Sequence, residues 1–288
     1  MRFMKKIYAW EGIENFGDGL NKTLFDKLYG VQLVSTENQH ETDIIAIGSV
    51  LQNFVYSGNK IKLLKQFCKI ASKNIKKIDV LGAGFKREPR KFKFLRKMDF
   101  KIVRGKLTEQ VLKKHGIINK NIPYGDLGIL SSFANKKGAS KYLLGIVPHY
   151  NDLNSPIFYD IYKEYGNESI LINVRAEPWK VIDEISKCEN IISSSLHGLI
   201  VADSYEIPNM WLENRFKSAR EEPHFKYEDY YSSIGVEGVK PIQASSFLEN
   251  GIESINRSWH KKIKEIEKVQ KEVFDICKEY FSEKKNDT

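Results

Sequence analysis

Short apolar runs of strand length alternate with helical segments along almost the whole of this 288-residue chain. Eight of the runs are predicted to be strands: Lys6–Trp10, Asp43–Ile47, Ile78–Leu81, Lys101–Arg104, Leu143–Val147, Ser169–Val174, Asn190–Ile192 and Asn209–Leu212. Helices are predicted near residues 18–28, 60–76, 107–115, 156–165, 178–187 and 197–204. Strands that alternate with helices build βαβ units and parallel sheets, so the chain is predicted to have an α/β fold.

The polar stretch Ser131–Ser140 is the best candidate for a linker between two halves of the chain. We therefore predict two Rossmann-like domains, residues 1–135 and 136–288, which face each other across a cleft. Near the end of the chain, apolar residues recur at helical spacing from Ile255 to Phe281. This pattern predicts one long C-terminal helix that braces the two domains.

The composition is typical of a globular protein with reduced thiols. Hydrophobic residues make up 41% of the chain, and no apolar run reaches the ~18 residues that a membrane-spanning helix needs. The N-terminal apolar segment is too short for a secretory signal. The three cysteines are scattered without a C-x-x-C spacing, which argues against a structural zinc site. We therefore expect a cytoplasmic protein that uses no metal and no cofactor.

Positive charge is concentrated in residues 60–115, which contain 19 Lys or Arg and 4 Asp or Glu, whereas the whole chain has a net charge of +9. The first part of this block has a lysine stripe opposite an apolar stripe. Three interpretations stay open: a solvated helix face, peripheral contact with anionic lipids at the inner face of the cytoplasmic membrane, or attraction to a polyanionic substrate. Nucleic acid is not a predicted partner, because no nucleic-acid-binding motif accompanies the charge.

Three serines and a histidine lie between a predicted strand and a predicted helix in the segment Cys188–Asp203. Ligands of open α/β sheets bind at the carboxyl ends of strands, against the N-termini of the following helices. Backbone N–H groups and the helix dipole favour an anion at that place, next to Ser193, Ser194, Ser195 and His197. The alternative is a serine helix cap with a buried histidine behind it.

Two other strand ends in the first half carry polar or small residues. Asn15-Phe-Gly-Asp18 follows the first strand, where Gly17 lets a ligand approach the backbone and Asp18 is either a helix cap or a base. Arg104 ends the fourth strand, where it can clamp a phosphate or carboxylate or form a surface salt bridge. Gly82-Ala-Gly84 is a further turn that permits close approach.

In the second half, His149 follows the first strand, and the segment His224–Tyr231 mixes aromatic and charged side chains. Aromatic and polar groups together suit a sugar, whose ring has an apolar face and a polar rim.

These motifs, in this order, resemble the polysaccharide pyruvyltransferase family over residues 7–235. The segments that carry the resemblance are Asn15-Phe-Gly-Asp18, Gly82-Ala-Gly-Phe85, Val103-Arg104, Gly125-Asp126, Pro148-His-Tyr150, Ser193-Ser-Ser-Leu-His-Gly198, Ala202-Asp203 and Phe225-Lys-Tyr-Glu-Asp229. The likeness is greatest to the branch that adds ketal-linked pyruvate to exopolysaccharide and capsule repeat units. It implies a GT-B-like fold of two Rossmann-type domains and phosphoenolpyruvate as the donor.

The chain departs from the family pattern at two positions. Many members have Arg-Leu-His where this chain has Ser195-Leu-His197, and that arginine helps to bind the donor. Arg175, Arg215 or Lys226 could supply the missing cation. The usual Gly-Asp-Pro is Gly125-Asp-Leu127 here, which we interpret as a structural change in a turn.

The resemblance implies transfer of pyruvate from phosphoenolpyruvate to two neighbouring hydroxyls of a saccharide, lipid-linked or free, to form a cyclic ketal. We predict that His197 is the general acid and phosphate contact, that Arg104 clamps the donor, and that Asp18 orients or deprotonates an acceptor hydroxyl. The predicted donor site also includes Ser193, Ser194, Ser195, Arg175, His149 and Lys226. The predicted acceptor site includes Asn15, Gly17, Gly84, Phe85 and Asp229.

Two rival functions fit the same pattern. One is a GT-B nucleotide-sugar glycosyltransferase, whose diphosphate would lie at Ser193–Ser195. The other is a non-catalytic protein that binds a polyanion or a membrane surface through residues 60–115.

Overall fold

The computed structural model describes residues 5–9, 15–57, 76–214, 224–259 and 263–286. These residues form two five-stranded parallel sheets, a two-stranded antiparallel sheet and many helices. The predicted α/β class with parallel sheets is therefore confirmed. No helix in this part of the chain has the length and apolar character needed to cross a bilayer.

The first parallel sheet has the strand order β2-β1-β3-β5-β7. Its strands are β1 (Lys6–Tyr8), β2 (Val34–Thr36), β3 (Ile44–Ile45), β5 (Ile78–Leu81) and β7 (Met98–Ile102). A small antiparallel sheet beside it pairs β4 (Val55–Tyr56) with β6 (Lys93–Phe94). In the parallel sheet, the central strands β3 and β5 are fully buried and are apolar except at Asp79, as expected of strands covered on both faces.

The second parallel sheet has the strand order β12-β11-β10-β8-β9. Its strands are β8 (Tyr142–Val147), β9 (Ser169–Leu171), β10 (Cys188–Ser193), β11 (Asn209–Glu213) and β12 (Ile242–Gln243). Numbered within each sheet, both orders are 2-1-3-4-5, an order typical of doubly wound α/β domains. The order therefore reverses between β1 and β3 in the first sheet, and between β8 and β10 in the second.

Helices cover the sheets and connect their strands. They are α1 (Phe16–Tyr29), α2 (Lys106–Lys114), α3 (Ser131–Ala134), α4 (Pro156–Tyr165), α5 (Pro178–Ser186), α6 (Leu196–Ser204), α7 (Phe225–Ser233), α8 (Ala244–Asn250), α9 (Glu253–Ser258) and α10 (Ile263–Asn286). Short 3-10 turns occupy Leu51–Phe54, Leu127–Leu130 and Gly166–Glu168. Local signals set the ends: Asn15 caps the start of α1, and Gly30 ends it at a φ of 61°.

The largest buried cluster draws side chains from both halves of the chain. It includes Leu20 and Leu24 of α1, Ile182 of α5, Leu199 of α6 and Val273 of α10. Helix α1 packs on α5, and α6 packs on the turn Leu127–Leu130. The two sheets therefore share an apolar core, which fixes the switch points of the two sheets relative to each other.

The terminal helix α10 contacts elements of both sheets. The Gln270 side-chain amide donates to the Ile129 and Ser204 carbonyl oxygens at 2.9 and 3.1 Å. Farther along, the Tyr280 hydroxyl donates to Asp79 of β5 at 2.6 Å. The helix thus joins the two halves.

The helix predicted from Ile255 to Phe281 is wrong in its start. Residues Glu253–Ser258 form a separate helix, and Trp259 is extended at φ −73° and ψ 122°. Ile255 and Ile266 pack into different buried clusters. The apolar patterns of two helices therefore follow one another in the sequence and resemble the pattern of a single helix.

Other differences concern short or polar segments. The predicted linker begins with the helix α3, whose first residue Ser131 is buried and donates to Gly128 at 2.7 Å. The fourth predicted strand lies earlier, at Met98–Ile102, so Arg104 follows it. Strands β2, β4, β6 and β12 and helices α7 and α8 were not predicted, because most have too few residues to show a period. The predicted helix 60–76 lies almost wholly outside the described residues, as does Arg215.

Candidate functional site

The strand ends on both sides of each reversal bring most of the predicted donor residues together. In doubly wound sheets, ligands bind outside the carboxyl ends of strands where the order reverses. The segment Asn15–Asp18 follows β1, His149 follows β8, and Ser193–His197 follows β10. The two halves are tied at this point, because the N–H of Phe16 donates to the carbonyl of Val174 at 2.8 Å.

His197 lies in the first turn of α6 and packs directly against the first turn of α1. A Cβ on Gly17 would lie 2.1 Å from the His197 Nδ1 atom, so only glycine fits there. The Phe16 ring meets the imidazole edge to face, with 6.3 Å between centroids. The side chain is 12% exposed. His197 is therefore packed between the first turns of α6 and α1, where the two halves meet.

The other nitrogen of His197 faces the carboxylate of Asp126, which the sequence analysis placed in a structural turn and not among the candidate site residues. His197 Nε2 lies 3.9 Å from Asp126 Oδ2, and Asp126 is fully buried. Neither atom has a hydrogen-bond partner in the structure. Burial lowers the pKa of His197; the Asp126 charge opposes this change, whereas Lys226 and Arg104 reinforce it. Before a ligand binds, the imidazole is therefore mostly neutral at neutral pH.

Two of the three serines at the end of β10 are used within the protein. The Ser193 hydroxyl lies 2.8 Å from two carbonyl oxygens and accepts the N–H of Ser195 at 2.9 Å. The Ser194 hydroxyl donates to Asp152 and accepts the N–H of His149, both at 2.8 Å. These bonds shape the turn that starts α6. Ser195 is the N-cap residue, but its side chain does not cap the helix.

Asp18 lies in the first turn of α1, beside the glycine that contacts His197. Its carboxylate accepts from the Asn15 side-chain amide at 3.2 Å, while the Asn15 oxygen accepts from the N–H of Gly17 at 3.4 Å. Burial raises the pKa of Asp18 to about 6, and the bond from Asn15 opposes this rise. Asp18 therefore titrates in the range where many enzymes work.

Arg104 lies near the same edge of the first sheet but is fully buried, as is Asp229 of α7. Its guanidinium donates to Asp229 at 2.9 Å, to the Ser49 hydroxyl at 2.8 Å and to the Phe85 carbonyl at 2.6 Å. Asp229 also accepts the N–H and the hydroxyl of Thr108 at the start of α2. Burial raises the pKa of Asp229, and the Arg104 charge opposes this rise. The pair joins four separate segments.

Two glycines let backbone and side chains close around this ion pair. A Cβ on Gly84 would lie 2.6 Å from the Arg104 Cζ atom, and one on Gly105 would lie 1.7 Å from the Asp229 carbonyl oxygen. The ring of Phe85 is fully buried against two other phenylalanines. The predicted acceptor contacts of Gly84, Phe85 and Asp229 stay predictions, and their burial assigns them to packing around Arg104.

The remaining predicted donor residues differ in how deeply they are buried. His149 is half-buried, and its ring lies 4.2 Å from that of Tyr150. Arg175 is exposed in the segment between β9 and α5. Lys226 is 8% exposed, with its Nζ atom 5.0 Å from the Tyr227 ring centroid. Within the described ranges, no group of three or more His, Cys, Asp or Glu side chains could hold a metal ion.

Sequence reasoning named Asp126 only within a turn that it interpreted as structural, and it missed Ser49 and Thr108. The signal for Asp126 was present, because a Gly-Asp pair precedes the apolar run Leu127–Leu130 just as Asn15–Asp18 precedes a helix. Ser49 and Thr108 carry no comparable signal, since their part in the site depends on which loops meet in the fold.

Comparison with known proteins gives the chain relatives over most of its length. It is 32% identical over 257 residues to the uncharacterised protein L143 of Acanthamoeba polyphaga mimivirus, covering 86% of this chain and 81% of that protein. It is 29% identical over 244 residues to the succinoglycan biosynthesis protein ExoV of Rhizobium meliloti (strain 1021), covering 80% of this chain and 65% of ExoV. The chain thus spans just under two thirds of the length of ExoV.

A crystal structure of an uncharacterised protein from Klebsiella pneumoniae subsp. pneumoniae aligns with a TM-score of 0.42 and 12% identity, over 79% of this chain and 87% of that one. The family model for polysaccharide pyruvyl transferase matches residues 5–215, a range that includes both strand-order reversals and the described residues around His197. The chain therefore belongs to the polysaccharide pyruvyl transferase family.

Proposed function

We propose that this protein transfers the pyruvyl group of phosphoenolpyruvate to two neighbouring hydroxyls of a polysaccharide repeat-unit sugar, forming a cyclic ketal. The observation that carries the proposal is the meeting of His197 and the Asn15–Asp18 turn at the two strand-order reversals. One group is a titratable imidazole at a helix N-terminus, and the other is an acid with its pKa raised to about 6. Family membership supplies the reaction class.

The reaction needs one proton donor, one proton acceptor and a site for a leaving phosphate. A proton goes to the methylene carbon of phosphoenolpyruvate, and the first sugar hydroxyl attacks the resulting cationic carbon. Phosphate then leaves with the electron pair of its C–O bond, and the second hydroxyl closes the ring. The two hydroxyls release two protons, of which one replaces the proton spent and one leaves with inorganic phosphate.

We assign the proton donor to His197 and place the donor phosphate at the N-terminus of α6. N–H groups in the first turn of a helix have no partner within the helix, and the dipole favours an anion there. The imidazole is mostly neutral before binding, since its pKa is lowered. A phosphate beside it raises that pKa, because a negative charge favours the imidazolium. Binding of the donor phosphate therefore favours the protonated form of His197, which delivers the proton.

Asp18 is our candidate for the base that accepts a hydroxyl proton. It is ionised at neutral pH, since its pKa of about 6 lies below 7. The nearby positive charge that acts on His197 comes from Lys226 and Arg104. Because Arg104 is already paired with Asp229, we now assign it a positioning role and assign the cation for the donor to Lys226, with Arg175 at the rim.

We further propose a GT-B-like arrangement of two domains divided at residues 131–140, with the acceptor on the side of residues 1–135. In this arrangement the exposed cations Lys86, Arg87, Arg90, Lys91 and Lys93 follow β5, near the edge of the sheet that carries the crevice. A lipid-linked acceptor at the inner face of the cytoplasmic membrane would meet this basic loop. Binding to acidic but not to neutral vesicles, lost at high salt, is expected in liposome sedimentation; equal binding to both would contradict it.

The test of the function is direct. The purified protein is incubated with phosphoenolpyruvate and lipid-linked repeat-unit intermediates, and mass spectrometry follows the gain of a ketal while a colorimetric assay follows phosphate. A parallel thermal-shift screen compares phosphoenolpyruvate with nucleotide sugars, since a ligand of the folded state raises the melting temperature. Stabilisation by a nucleotide sugar alone would favour a glycosyltransferase, and stabilisation by neither would favour a binding protein.

A further inference from the structure

We propose that Asp126 is the positioning residue of a buried Asp–His pair, which holds Nε2 of His197 and leaves Nδ1 to exchange the proton with substrate. The proposal rests on the proposed function of His197, and it adds a residue that the sequence pattern placed in a structural turn.

The two facing atoms are exceptional in this molecule. Among the residues that the structure describes, four buried side-chain nitrogen or oxygen atoms have no hydrogen-bond partner. Two of these four are His197 Nε2 and Asp126 Oδ2, which lie 3.9 Å apart. Buried polar groups are nearly always paired, because an unpaired one loses its hydration without compensation. Two such atoms that face each other indicate one bond that forms in another state of the site.

The backbone around Asp126 is fixed, so its carboxylate cannot turn elsewhere. Asp126 Oδ1 already accepts the N–H of Gly128 at 2.9 Å and caps the turn Leu127–Leu130. The preceding Gly125 has a φ of 152° and donates to the carbonyl of Val103 at 2.9 Å. A Cβ at this glycine would lie 2.5 Å from Val273 of α10. The second oxygen is therefore presented to the imidazole by a rigid loop.

A closure of about 1 Å would turn the 3.9 Å separation into a hydrogen bond. Such bonds are often long in an enzyme without substrate and shorten in the reacting complex. With Nε2–H directed at Asp126, the other nitrogen is Nδ1, which lies against Gly17 in the turn that carries Asp18. A carboxylate behind an imidazole fixes its tautomer and stabilises its protonated form.

Three charged groups act on His197 from the elements packed around it. Asp126 favours the imidazolium, whereas Lys226 of α7 and Arg104 after β7 disfavour it. Removal of the Asp126 charge therefore leaves two cations unopposed. The proton that His197 must deliver would then be held less often, which slows transfer without removing a contact to the donor.

The experiment uses Asp126→Asn, because asparagine keeps a cap oxygen for Gly128 but loses the charge. We expect kcat to fall about 10- to 100-fold with little change in KM for phosphoenolpyruvate. In NMR titrations, the pKa of His197 is expected to fall by about one pH unit. His197→Gln identifies the His197 signals. Ser131→Ala is the matched control, since it removes the 2.7 Å bond to Gly128 from the same turn without touching His197, and neither readout should move.

A measurement on the unchanged protein keeps the proposal testable if Asp126→Asn fails to fold. The ¹⁵N shifts of neutral His197 report which nitrogen carries the proton, and we expect Nε2–H. An Nδ1–H tautomer, or an Asp126→Asn variant with normal kcat and an unmoved His197 titration, would overturn the pair. If His197→Gln retains normal transfer, the proposed function fails instead, and the tautomer and titration still decide whether the pair exists.

Discussion

Two polar clusters lie near the carboxyl ends of the parallel strands, one around Arg104 and one around His197. They differ in how completely their buried polar atoms are hydrogen-bonded. Around Arg104, the guanidinium donates to three acceptors, and its partner Asp229 accepts from three donors, with both side chains fully buried. Around His197, the imidazole Nε2 and the Asp126 carboxylate face each other without a bond. The first cluster is complete without a ligand, whereas the second is not.

The completeness of hydrogen bonding distinguishes a structural cluster from a candidate catalytic one more clearly than the types of residue do. An arginine is the expected phosphate ligand and a capping turn is the expected structural feature. Here, however, the arginine is paired with Asp229, and the turn carries a carboxylate oxygen, Asp126 Oδ2, without a hydrogen-bond partner. A fully paired buried cluster resists movement, because removal of one partner leaves a buried charge. The His197 cluster can change its protonation and its bonds when a ligand arrives.

The largest expected effect lies at His197. His197→Ala should reduce transfer about 100- to 10,000-fold, because a positioned proton donor is lost. The melting temperature should change little, since the imidazole makes no hydrogen bond through Nε2 to the protein. Steady-state kinetics and thermal unfolding measure the two effects. Near-normal transfer by the variant would remove the contrast between the clusters and favour a buried histidine behind a capped helix.

At Asp229, in contrast to His197, we expect the substitution to reduce stability strongly. Asp229→Asn leaves the Arg104 charge buried without its counter-charge, which should lower the free energy of unfolding by about 3–5 kcal/mol. Urea unfolding measures this loss. Glu88→Gln is the matched control, because it removes the ion pair between Glu88 and Lys114, whose side chains are 50% and 68% exposed. Such exposed pairs contribute little to stability. Equal stability of the two variants would show that the Arg104 cluster is not a structural lock.

The fold could be predicted far more completely than the site. Strand and helix periods are local, so Ile78–Leu81 and Pro156–Tyr165 were predicted at or near their observed ends. Gly17 and the three serines at the end of β10 were singled out because glycine is typical of close backbone approach and serine of helix caps. The pairing of Arg104 with Asp229 joins residues 125 positions apart, and the facing of His197 by Asp126 depends on how α6 meets a loop of the other half. Sequence order carries no local trace of either contact.

The smallest expected effect is on the pH dependence of kcat/KM. It tests whether Asp18, in the turn beside His197, acts as the base. The pKa of Asp18 is raised to about 6 from its ordinary 3.8, so its charged form is lost as the pH falls through 6. If Asp18 is the base, kcat/KM should fall about tenfold per pH unit below pH 6.

Asp18→Asn should slow transfer, spare donor binding and remove this acidic limb. The matched control is Asp203→Asn, because burial raises the pKa of Asp203 to about 6 as well, while its carboxylate is bonded to Asn209 and Tyr230. This control should keep the limb. If the fall in kcat/KM at acidic pH persists in Asp18→Asn and disappears in Asp203→Asn, the titrating group is Asp203 and not Asp18.

The packing of α10 has a consequence for how the protein is made. Its residues Val269 and Val273 lie against Gly125, and Gln270 holds carbonyls from both halves. A ribosome delivers the first sheet, the crevice turns and the second sheet before it delivers residues 263–286. The loop that carries Asp126 thus has no final support while the nascent chain is still growing. The loop that carries Asp126 is therefore fully packed only after residues 263–286 have emerged and Val269 and Val273 lie against Gly125.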